Sequence, residues 1–305
     1  MFLRITRRLL SIILLMIALI FFEALIMDLG RQGNLRALAS AVPSAADFTA
    51  DYLKGLVRGD MGVISSGYRT LVGTPVVTEL GRAIPMSLGL LTVALVLAAL
   101  VGLIVGTSAA LRRTSRFSGL LLFASVLGIS TPSFFAAMLL IWFGVWLYRI
   151  TGVNLFPISG FGWDAHLILP ALVLAARPAA AVTRFSNNVL VEILEADYVR
   201  TAKAKGLDPG VVFRRHVLRN AGVPILTTVG VSLRFSLACL PIVEYIFSWP
   251  GIGLRLLTAI QVQDTTTLVG MTLPLVLLFV LVNLLLEILY PLVDPRQRDS
   301  EAGAV

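Results

Sequence analysis

Two arginines, Arg177 and Arg234, stand in long apolar stretches, and three further cations, Arg200, Lys203 and Lys205, crowd one short segment. A guanidinium at membrane depth costs roughly 2.5–3.5 kcal/mol on insertion scales, so each of these arginines should face protein or water. There it attracts a carboxylate from a solute, pairs with an acid or helix carbonyls, or snorkels to the interface. Groups suited to bond-breaking are scarce. None of the lysines, Lys54, Lys203 and Lys205, follows a glycine, which excludes a phosphate-binding loop ending in Gly-Lys-Ser/Thr. His166 and His216 lie far apart, and neither His-Glu-x-x-His nor Gly-x-Ser-x-Gly occurs. Hydrolysis within the membrane and self-contained ATP hydrolysis lose their support. If ATP drives this protein, another chain hydrolyses it. The single cysteine, Cys239, excludes an intrachain disulfide and reads as a small apolar packing residue.

The elements that position these residues are apolar helices. Hydrophobic residues make up 57% of the 305-residue chain and charged residues 14%, where about 25% charged is usual for a soluble domain. The mean hydropathy is +0.91. No charge falls between Arg82 and Arg112, between Arg116 and Arg149, or between Asp264 and Glu287. Each gap exceeds the roughly 18 apolar residues that suggest a spanning helix. The net charge of +8 comes from basic residues flanking those runs, the pattern of loops beside an anionic membrane and not of a nucleic-acid partner.

Six spans are expected: Leu9–Met27, Pro85–Leu111, Ser118–Tyr148, Leu167–Thr183, Ile225–Tyr245 and Thr267–Tyr290. The first follows Arg4, Arg7 and Arg8 and is too long for a signal-peptide core, so it is read as an uncleaved span despite Ala39-Ser40-Ala41 downstream. The third is longer than one crossing and has a place to bend at Thr131-Pro132. With the N-terminus inside, fifteen Lys and Arg fall in inside segments and eight outside, and Arg177 and Arg234 complete the 25. That bias puts both termini in the cytoplasm. The domain plan is then residues 1–27, an extracytoplasmic loop 28–84, a five-helix core 85–291 containing an inside loop 184–224, and a tail 292–305. Gly102 and Gly106 form a Gly-x-x-x-Gly step for close packing inside the bundle. Glu23 and Glu287, near span ends, read as interfacial or interhelical.

The inside loop has a helical pattern, with Val191, Leu194, Tyr198 and Thr201 at helical spacing and a glycine stop at Gly206. Its sequence, Asp197-Tyr198-Val199-Arg200-Thr201-Ala202-Lys203-Ala204-Lys205-Gly206-Leu207, continues to Arg215-His216-Val217-Leu218-Arg219-Asn220-Ala221-Gly222-Val223-Pro224. These blocks resemble the ATPase-coupling loop of ABC importer permeases, in particular the dipeptide, oligopeptide and nickel family. Arg200, Thr201 and Ala202 stand where that family's pattern has Glu-Ala-Ala. Glu244-Tyr245-Ile246-Phe247-Ser248-Trp249-Pro250-Gly251-Ile252-Gly253 resembles the family's outer segment between the last two spans. Arg58-Gly59-Asp60-Met61-Gly62 and Pro75-Val76-Val77 resemble landmarks before its second span. The segment Met27-Asp28-Leu29-Gly30-Arg31-Gln32-Gly33 departs from the Pro-Gly-Asp-Pro-like turn common in this branch.

The resemblance implies an all-α fold of the type I importer permease kind, in a bacterial or archaeal cytoplasmic membrane. It implies a second homologous permease, two cytoplasmic ATPases that hold ATP and Mg, and an extracytoplasmic solute-binding protein, with no cofactor in this chain. Small residues Ala202, Ala204 and Gly206 would permit close approach of an ATPase, and Arg200, Lys203 and Lys205 would supply charge complementarity. Glu244, Ser248, Trp249, Pro250 and Gly251 would form an outer gate or docking segment, with the tryptophan in the membrane interface. Peptides are the first substrate class, ahead of nickel chelates, opines and glutathione-like solutes. A self-sufficient secondary transporter or channel is the competing class. It would account for six spans and two intramembrane arginines, but not for the ordered inside loop.

Overall fold

A computed structural model describes residues 2–33, 38–67 and 71–293. Arg36, Arg69, Arg296 and Arg298 of the charge count lie outside the described residues, as does nearly all of the expected tail. The described residues form eleven α-helices: α1 (Phe2–Gln32), α2 (Leu38–Val57), α3 (Val76–Leu111), α4 (Arg116–Ser130), α5 (Ser133–Thr151), α6 (Ile168–Glu195), α7 (Asp197–Ala204), α8 (Pro209–Val212), α9 (Arg219–Ile246), α10 (Ile252–Gln261) and α11 (Thr265–Val293). Six stretches are long and apolar enough to cross a membrane: Leu10–Gln32, Val76–Leu111, Ser133–Thr151, Ala165–Glu195, Pro224–Ile246 and Thr265–Glu287. The protein is an all-α, multi-pass membrane protein.

Several elements differ from the sequence reading, and α3 begins at Val76, nine residues before the expected Pro85. The expected span Ser118–Tyr148 is two helices, α4 and α5. Pro132 has no N–H to continue the ladder and forces its predecessor out of helical space, so Thr131 is extended (φ −78°, ψ 121°). At 1.5 Å per residue, the 15 residues of α4 reach only about 22 Å, short of a bilayer core of about 30 Å. The segment 28–84 is not simply a loop, since α1 continues to Gln32 and α2 follows. And α6 runs on to Glu195, well beyond the Thr183 expected.

The chain divides into two compact units. The first is Met1–Ser87 with Pro250–Leu278. Here α2 turns a stripe of Ala41, Ala45, Thr49 and Tyr52 inward at helical spacing and lies along α1. Ile20, Tyr52, Val269 and Leu273 share one apolar cluster, and Ile64, Val76, Leu80, Ala83, Ile252 and Met271 share another. Polar ties fix the ends of the helices. Gly251 before α10 offers no capping side chain, and Ser87 Oγ accepts the Ile252 N–H instead, at 2.9 Å. Glu79, almost wholly buried, pairs with Arg255 Nε at 2.7 Å. The Asp264 carboxylate, just before α11, accepts from Ser65 N (2.7 Å), Ser66 N (3.1 Å), Thr267 N (3.1 Å) and Thr267 Oγ1 (2.8 Å).

The second unit is Leu88–Trp249 with Phe279–Val305. Its centre is α6, which packs along α9 and α4. The Gly102/Gly106 step faces α6: a Cβ on Gly102 would come within 2.6 Å of Val182 Cβ, and one on Gly106 within 2.6 Å of the Thr183 carbonyl. These glycines therefore pack within this chain.

Candidate functional site

The segment after α6 folds from local rules. Ala196 is extended (φ −64°, ψ 144°), which ends α6 and starts α7. Val199 and Ala202, one turn apart, are buried with Leu190, Val212, Val217, Ala221 and Ile225. Asp197, Tyr198, Arg200, Thr201, Lys203, Lys205, Gly206 and Leu207 are exposed. Two hydrogen bonds close the helix: Gly206 N to Lys203 O (3.0 Å) and Leu207 N to Ala202 O (3.4 Å). With Gly206 at φ +74°, this is a Schellman cap, whose left-handed position suits glycine. Asp208 then caps α8 through Gly210 N (2.8 Å) and Val211 N (3.2 Å), with Pro209 in the first turn. A π-helical turn, Phe213–Leu218, joins α8 to α9. Asn220 Nδ2 donates to Tyr198 Oη at 3.3 Å, and Arg113 pairs with Glu195 just ahead of the break.

Two expectations are corrected here. Ala202 points into the chain's own core, so it is not a surface for close approach; Ala204 and Gly206 remain exposed. And Val191 and Leu194 belong to α6 while Tyr198 and Thr201 belong to α7, so the helical spacing read across them spans a break. The π turn had no signal in the sequence reading. Asp208-Pro209, an N-cap followed by a first-turn proline, was a legible helix start that the sequence reading passed over.

The two intramembrane arginines part company. Arg177, exposed on α6, lines a cavity of about 180 Å³ with residues of α4, α5 and α9, including Gly128, Thr131, Ser133, Phe235, Ser236 and Cys239. No acidic side chain lines it among the described residues. The Arg177 guanidinium carbon sits 4.6 Å from the Phe235 ring centroid, a cation–π contact. Pro178 gives the wall its irregularity: lacking an N–H, it leaves the Leu174 carbonyl without its helix partner. Ser236 Oγ donates to that carbonyl at 3.3 Å. Thr131 Oγ1 likewise donates to Leu127 O at 2.7 Å. Arg234 is not on this wall. It is half-buried on α9, and its Nε is buried with no hydrogen-bond partner among the described residues.

The segment near Trp249 is also unlike the expectation. Trp249 is fully buried, not set in the membrane interface, and meets Phe161 (4.9 Å) and Trp163 (5.5 Å) edge to face. Its N–H donates to Glu244 O at 2.8 Å, and Glu244 is itself fully buried. Ser248 takes φ +55° to make the turn. Gly251 is buried, Pro250 half-buried, and Ser248 exposed, which leaves little surface for a docking role.

Residues 102–299 match the family described as binding-protein-dependent transport system inner membrane component. The dipeptide transport system permease protein DppB of Lactococcus lactis is 37% identical over 224 residues, covering 73% of this chain and 72% of that protein. The oligopeptide transport system permease protein OppB of Mycobacterium tuberculosis is 34% identical over 265 residues, covering 82% of this chain and 80% of that protein. Among solved structures, the MetNI methionine ABC transporter in an inward-facing conformation matches with a TM-score of 0.59. That match has 17% identity and covers 73% of this chain and all of the other, a likeness of fold.

Proposed function

Since the chain belongs to the binding-protein-dependent transport system inner membrane components, we propose that it is the permease subunit of an ATP-driven importer for di- and oligopeptides in the cytoplasmic membrane. It pairs with a second homologous permease, two ATPases that bind ATP and Mg, and an extracytoplasmic solute-binding protein. Both termini and the segment 184–224 face the cytoplasm. The substrate class rests on the dipeptide and oligopeptide permeases to which the chain is similar.

The observation that carries the reading is the two-sidedness of α7. One side, Val199 and Ala202, is fastened into the core beside the ends of α6 and α9. The other presents Arg200, Lys203 and Lys205 with a tightly capped end. A short cationic helix held this way seats as a rigid body in an acidic groove of a soluble partner, and movement of the partner moves the spans. Arg200 is only loosely engaged by Asp197 (3.9 Å, both well exposed), so it stays available for pairing.

The test is co-purification of the complete complex carrying Lys203→Glu with Arg200→Glu, alongside peptide uptake. The proposal expects normal membrane levels, loss of the ATPases from the complex and loss of ATP-dependent uptake. Retention of the ATPases and of uptake would overturn the α7 assignment. Ion-gradient-driven uptake by vesicles holding this chain alone would favour the competing secondary transporter.

A further inference from the structure

We propose that the Arg177 cavity is the subsite that receives the terminal carboxylate of the translocated solute, an inference that rests on the importer reading above. The wall carries one charged side chain, Arg177, and no acid to neutralise it among the described residues. The neighbouring hydroxyls of Thr131 and Ser236 already donate to the Leu127 and Leu174 carbonyls, so they cannot also donate to a ligand. The guanidinium is therefore the charged donor that the cavity offers, with the neutral Ser133 hydroxyl on the same wall.

Its geometry is prepared for a planar anion. The Phe235 ring, 4.6 Å from the guanidinium carbon, holds the group at the cavity wall. Its N–H groups lie in the guanidinium plane, where a carboxylate can take two parallel hydrogen bonds. At about 180 Å³ the cavity is small beside an oligopeptide and suits a carboxylate with a small terminal residue. Only the end of a longer solute enters. Arg234, off this wall, has no part in the subsite.

The cavity contains its own reporter. Cys239, the chain's single cysteine, stands one helical turn beyond Phe235 on the same wall and is partly exposed. The complete complex in membrane vesicles is treated with an anionic or a cationic methanethiosulfonate of similar size, and Cys239 modification is followed by peptide mass spectrometry. A single-sign cleft changes the local concentration of a charged reagent by about tenfold or more. The anionic-to-cationic rate ratio should fall about tenfold in Arg177→Gln and survive in Arg177→Lys. Alanyl-alanine should protect Cys239, and alanyl-alaninamide should not. A ratio unchanged in Arg177→Gln overturns the proposal, as does equal protection by the amide, or protection by dihexanoyl phosphatidate in place of the dipeptide. If Arg177→Gln fails to reach the membrane, the dipeptide and amide comparison in the wild-type complex decides alone. ATPase co-purification is read on the same vesicles, so loss of the importer reading is distinguished from loss of the subsite.

Discussion

Replacing Gly206 separates what the backbone needs from what a partner needs. The residue sits at φ +74°, and a Cβ built on it meets nothing within 4 Å. Steric crowding therefore contributes nothing, and the cost of Gly206→Ala is that of holding an L-residue in left-handed space, about 1–2 kcal/mol. The cap it supports closes a helix of eight residues, too short to persist without its ends fixed. A loss of that size multiplies opening of the last turn by about 5–30. Hydrogen exchange on a peptide covering 197–207 in the isolated chain should accelerate by that factor in Gly206→Ala and much less in Gly206→Asn, since asparagine enters left-handed space more readily. Gly206→Asp shares the shape of Asn but adds a negative charge to the negative end of the helix dipole, a further 0.3–1 kcal/mol or so. Titration with the ATPase subunits then isolates the contact. The Asn variant should bind nearly as the wild type does, and the Asp variant should lose binding beyond what its exchange rate explains. Equal exchange in Gly, Asn and Ala forms would refute the cap argument. Wild-type ATPase binding and transport by Gly206→Asp would refute the coupling role of this glycine.

Other expectations follow from the same physics. In a Cys239→Ser background, cysteines at Asp47 on α2 and Lys205 after α7, both exposed, should label from opposite sides of a sealed membrane; labelling from one side would end the six-span arrangement. Glu79→Gln removes the charge facing the mostly buried Arg255 and should lower thermal stability by about 3–5 kcal/mol, whereas Lys54→Gln, in its exposed pair with Asp51, should leave stability nearly unchanged. Burial raises the Asp264 carboxyl, but hydrogen bonds from Thr267, Ser65 and Ser66 outweigh it and hold the group below the usual carboxylate range. Its stabilisation is therefore present above about pH 3.9 and lost as pH falls through the lowered value. Asp264→Asn should loosen the loop at Ser65–Ser66 to limited proteolysis at neutral pH, by about 1–3 kcal/mol, and the two proteins should converge only as pH falls through that lowered value.

What the sequence made legible was local. Uncharged runs marked the spans, and a glycine after an amphipathic octet marked the end of α7. A threonine before proline marked the bend near Thr131, though not that α4 would be cut too short to cross. What escaped reading was nonlocal or silent. Trp249 looked like an interface anchor because its burial depends on Phe161 and Trp163, more than eighty residues upstream. Ala202 looked like contact surface because its inward neighbours, Leu190 and Val217, lie on other elements. The break at Ala196 has neither glycine nor proline to announce it, so the spacing of Val191, Leu194, Tyr198 and Thr201 ran smoothly across it. Asp264 precedes the apolar run of α11 as a capping residue would, yet nothing near it announces Ser65 and Ser66, two hundred residues away along the chain.

The burial of Val199 and Ala202 also sets how force travels. Their cluster includes Ala110 of α3, Val182 and Leu190 of α6, Val217 of the π turn, and Ala221 and Ile225 of α9. Close-packed apolar interiors resist compression and transmit strain. A load on the cationic side of α7 therefore does not dissipate in a slack tether. Under the proposed coupling it would reach α3, α6 and α9 through this apolar cluster, with the octet as the short arm of a stiff lever.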